Sequence, residues 1–210
     1  MIVEVLQQLQ ALRANGCEVI VVDGGSQDQT KTLACPLVDQ ILQSEKGRAR
    51  QMNFGAQHAQ SDTLLFLHAD TCLPDGAVER ILAGLSSANR QWGRFDVEIV
   101  GDAWMLGVVA AMMNWRSRLT GIATGDQALF LRRALFQKVG GFPQQALMED
   151  VEITRRLRQI TPPLCLKQKV KTSGRRWMQR GVWRTIFLMW RLRLLYWLGV
   201  APDELAKEYR

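Results

Sequence analysis

The first half of the chain alternates short apolar runs with polar stretches of helical periodicity. Four consecutive apolar residues, all β-branched, lead into the acid of VIVVD at 19–23 and indicate a strand buried on both faces. The predicted elements are a helix at 2–14, a strand at 18–23, a helix at 28–34, a strand at 37–42, a helix at 47–59, a strand at 64–70, and a helix beginning at Pro74-Asp75. This alternation predicts an α/β fold: a Rossmann-like, mostly parallel sheet with helices on both faces.

The pattern loosens in the second half but gives no sign of a linker, so we expect one domain. The predicted elements there are a strand at 95–100, a helix at 102–119, a strand at 127–133, a charged helix at 148–159, and a basic strand, LCLKQKVK, at 164–171. The start of the chain has the pattern of an amphipathic helix rather than a signal peptide. The four scattered cysteines favour reduced core thiols in a cytosolic protein.

Charge changes this picture only near the end. The net charge is +7, and the stretch from Ile153 to Pro202 holds twelve Lys or Arg residues and no Asp or Glu. Such asymmetry indicates an anionic partner: nucleic acid, phosphate groups or an anionic membrane surface. Within 182–200, three arginines argue against a membrane-spanning helix, while Phe187, Trp190, Leu194 and Trp197 share one helical face. That face predicts either peripheral membrane contact or a core-packing helix with a solvent-exposed basic side.

Two predicted strands end on an acid, Asp23 and Asp70, and ligands bind at the carboxyl ends of strands in open α/β sheets. Gly24-Gly25 after Asp23 would allow the backbone to approach a ligand, and Ser26 or Asp28 could cap the next helix. The glycine motifs of dinucleotide-binding proteins and P-loop NTPases are absent, which weakens both interpretations. A lone carboxylate such as Asp70 suits a divalent cation that takes its other ligands from substrate phosphates.

Two further motifs carry candidate chemistry. Glu149-Asp150 begins a predicted helix shortly after a Gly-Gly hinge, which is consistent with a general base aimed at a cleft, although the helix dipole alone also favours acids there. SGRRW at 173–177 places two arginines and a tryptophan after the last predicted strand. Those arginines could clamp a diphosphate or simply add surface basicity.

Taken in order, these motifs resemble glycosyltransferase family 2, the inverting nucleotide-sugar enzymes of the GT-A fold. VIVVDGGSQDQT resembles the family's strand-Asp-Gly-Ser-x-Asp-x-Thr element, LHADT stands at its metal-binding Asp-x-Asp, MEDVEITRRL resembles its catalytic helix, and SGRRW stands where Gln-x-x-Arg-Trp is often found. KGRARQMNFGA and GDQALFLRR also resemble the family, especially a bacterial subgroup. The resemblance covers roughly residues 10–200.

The resemblance implies transfer of a sugar, with inversion, from a nucleoside diphosphate sugar to an acceptor hydroxyl. It implies Asp150, helped by Glu149, as general base and a divalent cation, Mg²⁺ or Mn²⁺, at Asp70. The residues implied to contact the nucleotide or its diphosphate are Asp23, Gly24, Asp28, Arg48, Arg50, Asn53, Arg176 and Trp177. A single domain, 1–210, would then comprise a nucleotide-binding half (1–90), an acceptor and catalytic half (91–177) and basic amphipathic helices (178–210).

Three departures from the family pattern accompany the resemblance. His68 replaces the first acid of Asp-x-Asp, and Ser173 replaces the glutamine of Gln-x-x-Arg-Trp. The family's first strand, Val-Ile-Ile-Pro-x-x-Asn-Glu, has no counterpart before the first helix. We expect that strand to lie beside the Asp23 strand, so its absence suggests a start codon placed too late or a truncated product.

The acceptor is unspecified, and a lipid-linked acceptor is one option because of the membrane-type face in 178–200. This interpretation predicts a cytoplasmic protein, peripheral on the inner face of the membrane, that does not bind nucleic acid. Two alternatives stay open: a nucleotidyltransferase on a similar fold, and a non-catalytic protein that binds anionic surfaces.

Overall fold

The computed structural model describes residues 2–87 and 90–209, so Arg210 of the predicted C-terminal segment lies outside the described residues. The strands are β1 Ile20–Asp23, β2 Gln40–Gln43, β3 Thr63–Leu65, β4 Thr71–Cys72, β5 Trp92–Val100, β6 Phe130–Arg132 and β7 Leu164–Ser173. The helices are α1 Ile2–Gln8, α2 Gln10–Ala14, α3 Thr30–Ala34, α4 Arg48–His58, α5 Ala77–Ser87, α6 Met105–Thr120, α7 Arg133–Lys138, α8 Glu149–Ile160, α9 Arg175–Arg180, α10 Val182–Trp197 and α11 Pro202–Tyr209. Short 3₁₀ turns occupy Cys35–Leu37 and Gly125–Gln127.

The described strands form two sheets. β1 and β2 pair in parallel, while the larger sheet has the order β3-β6-β5-β7-β4. The longest pairing, between β5 and β7, is parallel over eight residue pairs, and the pairings of β3 with β6, β6 with β5, and β4 with β7 are antiparallel. The predicted α/β fold is confirmed. The expectation that the Asp23 strand and the next acid-ending strand share one sheet edge is wrong, because β1 hydrogen-bonds to β2 and not to β3.

Helices cover both faces of the larger sheet, as the sequence predicts. One apolar core joins α5 and α6 to the alternating side chains Phe95, Val97 and Ile99 of β5. The other joins α4, α7 and α8 to Trp92 and to Leu131 of β6. This arrangement follows from the period-2 alternation of strands, which sends successive side chains to opposite faces.

Asn114 of α6 completes the hydrogen bonding of β5 beyond its short pairing with β6. Its side-chain Oδ1 accepts from the Val97 N–H at 2.8 Å, and its Nδ2 donates to the Val97 carbonyl at 2.9 Å. The backbone groups of Val97 are thereby satisfied on the side of β5 opposite β7, where the pairing with β6 has ended. This contact fixes α6 along the side of β5.

Several predicted boundaries are wrong. The helix at 2–14 is divided at Leu9 into α1 and α2, the helix at 102–119 begins only at Met105, and the strand at 127–133 is limited to β6. The apolar run LLFLHAD forms a strand only through Leu65, because its partner β6 is only three residues long. Asp70 therefore lies in a turn between β3 and β4 rather than at the end of a strand.

Candidate active site

Asp23 ends β1 and organises the turn that follows it. Its carboxylate is buried and accepts hydrogen bonds from the Gly25 N–H at 2.9 Å and the Ser26 N–H at 3.0 Å. Burial opposes the charge, but the hydrogen bonds from Ser26 and Gly25 outweigh it and lower the pKa of Asp23. Gly25 has a φ of +94°, a conformation that glycine adopts without strain.

Gly24 and Asp28 also have local partners. A Cβ on Gly24 would lie 3.1 Å from the Gln51 amide of α4, so the small residue at 24 allows α4 to pack closely on the turn. Asp28 is exposed and accepts the Thr30 N–H at 3.0 Å, but it precedes Gln29, the N-cap residue of α3, so it is not the cap that the sequence predicts. The carboxylate of Asp23 therefore shapes the turn, and Asp28 stabilises the helix that leaves it.

Helix α4 contributes three of the predicted nucleotide-contacting residues. Arg48 Nη1 lies 4.0 Å from Glu149 Oε1, Arg50 is ion-paired with Glu45, and the Asn53 side-chain amide exchanges two hydrogen bonds with the Phe142 backbone. Of these, only Arg48 is in the same cleft as the acid pair. Asn53 instead ties α4 to the loop that precedes α8.

Asp150 lies in the first turn of α8 and is oriented by two backbone groups. Its Oδ2 accepts the Gly125 N–H at 2.8 Å, and its Oδ1 accepts the Val151 N–H at 2.7 Å. Together with Glu149, Gly125, Thr124 and His68, Asp150 lines a pocket. The carboxylate is therefore held in one orientation at the surface of a cleft, as a proton acceptor requires.

Glu149 is the buried partner in this acid pair, with 4% of the residue exposed. Burial, and then the neighbouring Asp150 charge, raise the pKa of Glu149 above its usual value. Arg48 opposes this shift from across the cleft.

Asp126 is a site residue that sequence reasoning missed. It lies in the 3₁₀ turn Gly125–Gln127, and its carboxylate is 3.4 Å from His68 Nδ1. Burial opposes ionisation, but the His68 hydrogen bond and the nearby Arg48 outweigh it and lower the pKa of Asp126. His68, which replaces the first acid of the family's Asp-x-Asp, thus has an acidic partner. The available signal was an acid within GDQ, directly before an apolar run.

Backbone strain is concentrated at the same two segments. Among the described residues, Ala128 and Met148 are the non-glycine positions with positive φ, at +48° and +65°. Ala128 follows the turn that carries Asp126, and Met148 directly precedes Glu149. Such conformations cost about 1–3 kcal/mol and persist where surrounding contacts enforce them, often at functional sites.

The predicted metal residue, Asp70, is two residues after His68 in the turn between β3 and β4. Asp70 is partly exposed in its turn, where the Thr71 N–H bonds the His68 carbonyl at 3.0 Å. Over residues 2–87 and 90–209, no cluster of three His, Cys, Asp or Glu side chains is placed to hold a metal ion. Asp70 can therefore supply one carboxylate ligand, which is the arrangement that Mg²⁺ adopts when substrate phosphates complete its shell.

Arg176 and Trp177 are in α9 and have different surroundings. Trp177 packs against the core of α5, α6 and β5. Arg176 stacks on the Tyr209 ring, 3.6 Å from its centroid, and its Nη2 donates to the Tyr209 carbonyl at 2.8 Å. Burial, opposed by Tyr209, lowers the pKa of Arg176, and the charge of Arg48 adds to the lowering. The positive charge of Arg48 therefore acts on the Arg176 guanidinium.

Comparison with known proteins decides the family. The profile of glycosyl transferase family 2 matches residues 1–137, well over half of the chain. The chain belongs to glycosyltransferase family 2. The prediction of a glycosyltransferase is thereby confirmed at the level of the family. An uncharacterized glycosyltransferase of Mycobacterium tuberculosis is 29% identical in a 183-residue alignment that covers 80% of this chain and 69% of that protein.

Solved structures share the fold. S. aureus TarS 1–349 in complex with UDP-GlcNAc matches with a TM-score of 0.65 at 20% identity, over 82% of this chain and 54% of TarS 1–349. A mannosyltransferase from Pyrobaculum calidifontis in complex with GDP-Man and Mn²⁺ matches with a TM-score of 0.62 at 17% identity, over 98% of this chain and 64% of that protein. This chain thus spans less than two thirds of either solved chain. The GT-A type of fold expected from the sequence is confirmed.

Proposed function

We propose that the protein transfers a sugar from a nucleoside diphosphate sugar to an acceptor hydroxyl, with inversion at the anomeric carbon. The observation that carries this proposal is the fixed Asp150 carboxylate at the pocket, bonded to Gly125 on one oxygen and Val151 on the other. Each oxygen keeps a lone pair for an acceptor hydroxyl. Asp150 takes the proton of that hydroxyl as it attacks the anomeric carbon. Glu149 assists because its nearby carboxylate favours transfer of a proton to the acid pair.

The donor is assigned to the half that carries β1 and α4, residues 1–90. The solved relatives are complexes with UDP-GlcNAc and with GDP-Man, which supports a nucleotide sugar as donor. In this proposal the Asp23 turn, with Gly24 and Asp28, faces the nucleoside. Arg48 and Arg176 carry positive charge near the diphosphate and stabilise the leaving group, while Trp177 supports the helix that bears Arg176. Arg50 lines an open groove with Asn53, next to the β2 end.

A divalent cation, Mg²⁺ or Mn²⁺, fits these residues as an ion bound by one protein carboxylate. Asp70 would hold it, with the diphosphate oxygens as further ligands, and the bound ion would offset charge on the leaving diphosphate. The complex of the Pyrobaculum relative with Mn²⁺ supports this assignment.

Donor binding tests the proposal. At a nucleotide-sugar concentration of 100 times Kd, binding to the folded state raises the melting temperature by roughly 5–10 °C for a chain of this size. We expect such a shift with a UDP- or GDP-linked sugar and Mn²⁺, and a smaller shift when EDTA replaces the ion. Product analysis should show a free nucleoside diphosphate. Release of pyrophosphate would instead identify a nucleotidyltransferase, and no shift with any nucleotide sugar would contradict the assignment of a donor site.

The acceptor side carries a large apolar surface, which we call the apolar ledge. It consists of two exposed stripes with helical spacing, Trp104, Val108, Met112, Trp115 and Leu119 on and just before α6, and Trp183, Phe187, Trp190, Leu194 and Trp197 on α10. Each of these residues is 40–81% exposed. Val182 and Ile186 of α10 pack against the core that includes α6, so the two helices are neighbours.

The apolar ledge supports peripheral contact with an anionic membrane. No helix within 2–87 or 90–209 is long and apolar enough to cross a bilayer. Exposed tryptophans next to arginines are typical of helices that lie in the membrane interface. Arg184 and Arg191 are exposed on α10, and Arg180 is the last residue of the preceding helix α9. A lipid-linked acceptor would reach the pocket from this surface.

Vesicle binding tests the ledge. Replacing Trp115 and Trp190 together by glutamine should weaken partition into vesicles of phosphatidylcholine and phosphatidylserine roughly tenfold or more, because two aromatic side chains lose apolar contact. Leu82→Ser is the matched control, since Leu82 is 45% exposed on α5, outside the ledge. Equal sedimentation of the double variant and the wild type would contradict membrane contact through these helices.

A further inference from the structure

Two arginines, Arg116 and Arg193, lie at the seam between α6 and α10. Arg116 follows Val109 by seven residues, and Arg193 follows Ile186 by seven, so each shares a helix face with its predecessor. Val109 is buried in the core that includes β5, and Ile186 packs against that same core. The two arginines therefore extend the packed faces of α6 and α10 beyond the apolar core.

Neither guanidinium has a partner among the residues that the structure describes. Arg116 Nε and Nη2 are buried without any hydrogen bond, and Arg193 has neither an ion pair nor a side-chain hydrogen bond there. The arginines two positions away on the same helices differ: Arg118 pairs with Asp96, and Arg191 pairs with Glu208. Buried donors are nearly always satisfied in folded proteins, so those of Arg116 call for a ligand.

The seam adjoins two segments of the pocket, the one that leads into Glu149-Asp150 and the turn that carries Asp126. Leu192, next to Arg193, is fully buried against Leu147 and Met148, the two residues that precede Glu149. On the other helix, Ser117, next to Arg116, accepts a hydrogen bond from Gln127 Nε2 at 3.1 Å, in the turn that carries Asp126. Each arginine thus neighbours a residue that contacts a segment of the pocket.

The two neighbouring positive charges at the seam favour binding of an anion. Burial, and then the charge of Arg193, lower the pKa of Arg116 to about 10, while Asp150 opposes the shift. Burial also lowers the pKa of Arg193, with Asp150 and Asp126 opposing. Both guanidinium groups stay charged at neutral pH, and two adjacent cations are stabilised by a ligand with more than one negative charge.

We infer that Arg116 and Arg193 form an anion subsite that holds a phosphate group of the acceptor while the acceptor hydroxyl lies at Asp150. The inference rests on the proposed transfer reaction for the identity of the ligand as acceptor. Paired guanidinium forks match the geometry and the double charge of a phosphate monoester better than those of a single carboxylate. The two arginines are on the same helices as the apolar ledge, so the phosphate belongs either to a lipid headgroup or to a soluble phosphorylated acceptor.

Binding of inorganic phosphate to the full chain tests the subsite. With UDP and Mg²⁺ first added to fill the donor site, Arg116→Gln and Arg193→Gln should each weaken phosphate binding about ten- to a hundredfold in calorimetric titrations, as expected for a lost charged hydrogen bond. Arg116→Lys should show a smaller loss, because lysine keeps the charge but not the fork. Arg80→Gln, at an exposed arginine of α5 away from the seam, should bind phosphate like the wild type. Circular dichroism melting would identify a variant that fails to fold.

The source of the phosphate is separated by a second arm with vesicles. Weaker binding of the glutamine variants to vesicles containing phosphatidic acid, but not to those containing phosphatidylserine, would support a lipid phosphate. Losses confined to inorganic phosphate would support a soluble acceptor. Phosphate binding unchanged in Arg116→Gln and Arg193→Gln would overturn the subsite even if UDP binds. If UDP does not bind but the arginines still determine phosphate affinity, the subsite stands and the proposed transfer reaction fails.

Discussion

Asp150→Asn is expected to lower the turnover of sugar transfer by roughly 10²–10⁴-fold, the usual contribution of a positioned general base. The amide is nearly the same size as the carboxylate but cannot take the acceptor proton. Donor affinity should be nearly unchanged, because Asp150 is assigned to the acceptor hydroxyl and not to the nucleotide. The measurement is steady-state transfer together with a donor titration on the same preparation.

Two features of the site shape the controls for this variant. Both Asp150 oxygens accept backbone N–H groups, so the asparagine leaves one of those donors unmatched at a cost of about 1–3 kcal/mol in stability. The melting temperature must therefore be recorded beside the rate. Glu152→Gln is the matched control on the same helix, because Glu152 pairs with Arg155 and Arg156 outside the pocket. Turnover of Asp150→Asn close to that of Glu152→Gln would rule out Asp150 as the base.

The parts of the site that are local in sequence could be predicted. The Asp23 turn and the acids that begin α8 depend on contacts within a few residues, and short-range patterns of glycine, acid and helix periodicity reflect such contacts. The order of four such motifs was also sufficient for the family resemblance. The confirmed fold class rests on the same alternation of apolar runs and amphipathic stretches.

The remaining features depend on distant contacts. The hydrogen bond from Gly125 to Asp150 and the pairing of His68 with Asp126 join segments 25 and 58 residues apart, and no local pattern encodes them. The separation of β1 from the larger sheet likewise depends on which strands pair across the fold. The strand predicted through Asp70 ended early for the same reason, since tertiary pairing with β6 overrides a continuous apolar run.

The positions of Arg116 and Arg193 at the seam could not be predicted from the sequence, for a third reason. The sequence shows arginines within the apolar helices α6 and α10, and the predicted membrane face covers the tryptophans of α10 but not Trp115 of α6. Only the packing of α10 on the core of α6 shows that these two arginines face the seam. A charged residue seven positions after a core residue is the sequence signal that could have singled them out.

Asp96→Ala is expected to lower the free energy of unfolding by about 3–5 kcal/mol, the range for removing one partner of a buried ion pair. Asp96 pairs with Arg94, which is 1% exposed, and with Arg118 of α6. Within residues 2–87 and 90–209, Arg94 Nε has no hydrogen bond, so removal of Asp96 would leave a buried guanidinium with the Asn114 carbonyl as its one acceptor there. Urea unfolding monitored by tryptophan fluorescence measures the change.

Two comparisons separate the buried charge from simple loss of contacts. Arg118→Gln should cost far less, about 1 kcal/mol or below, because the Arg118 side chain is 33% exposed and water can replace its bond to Asp96. The double replacement Arg94→Met with Asp96→Leu should recover much of the loss of Asp96→Ala, since no unpaired charge stays buried. If the double variant were instead less stable than Asp96→Ala, the network would stabilise α6 against β5 through its geometry and not through charge compensation. Arg118 is two residues from Arg116 on α6. Weaker phosphate binding in Arg118→Gln would therefore show that the Asp96 network also positions the anion subsite.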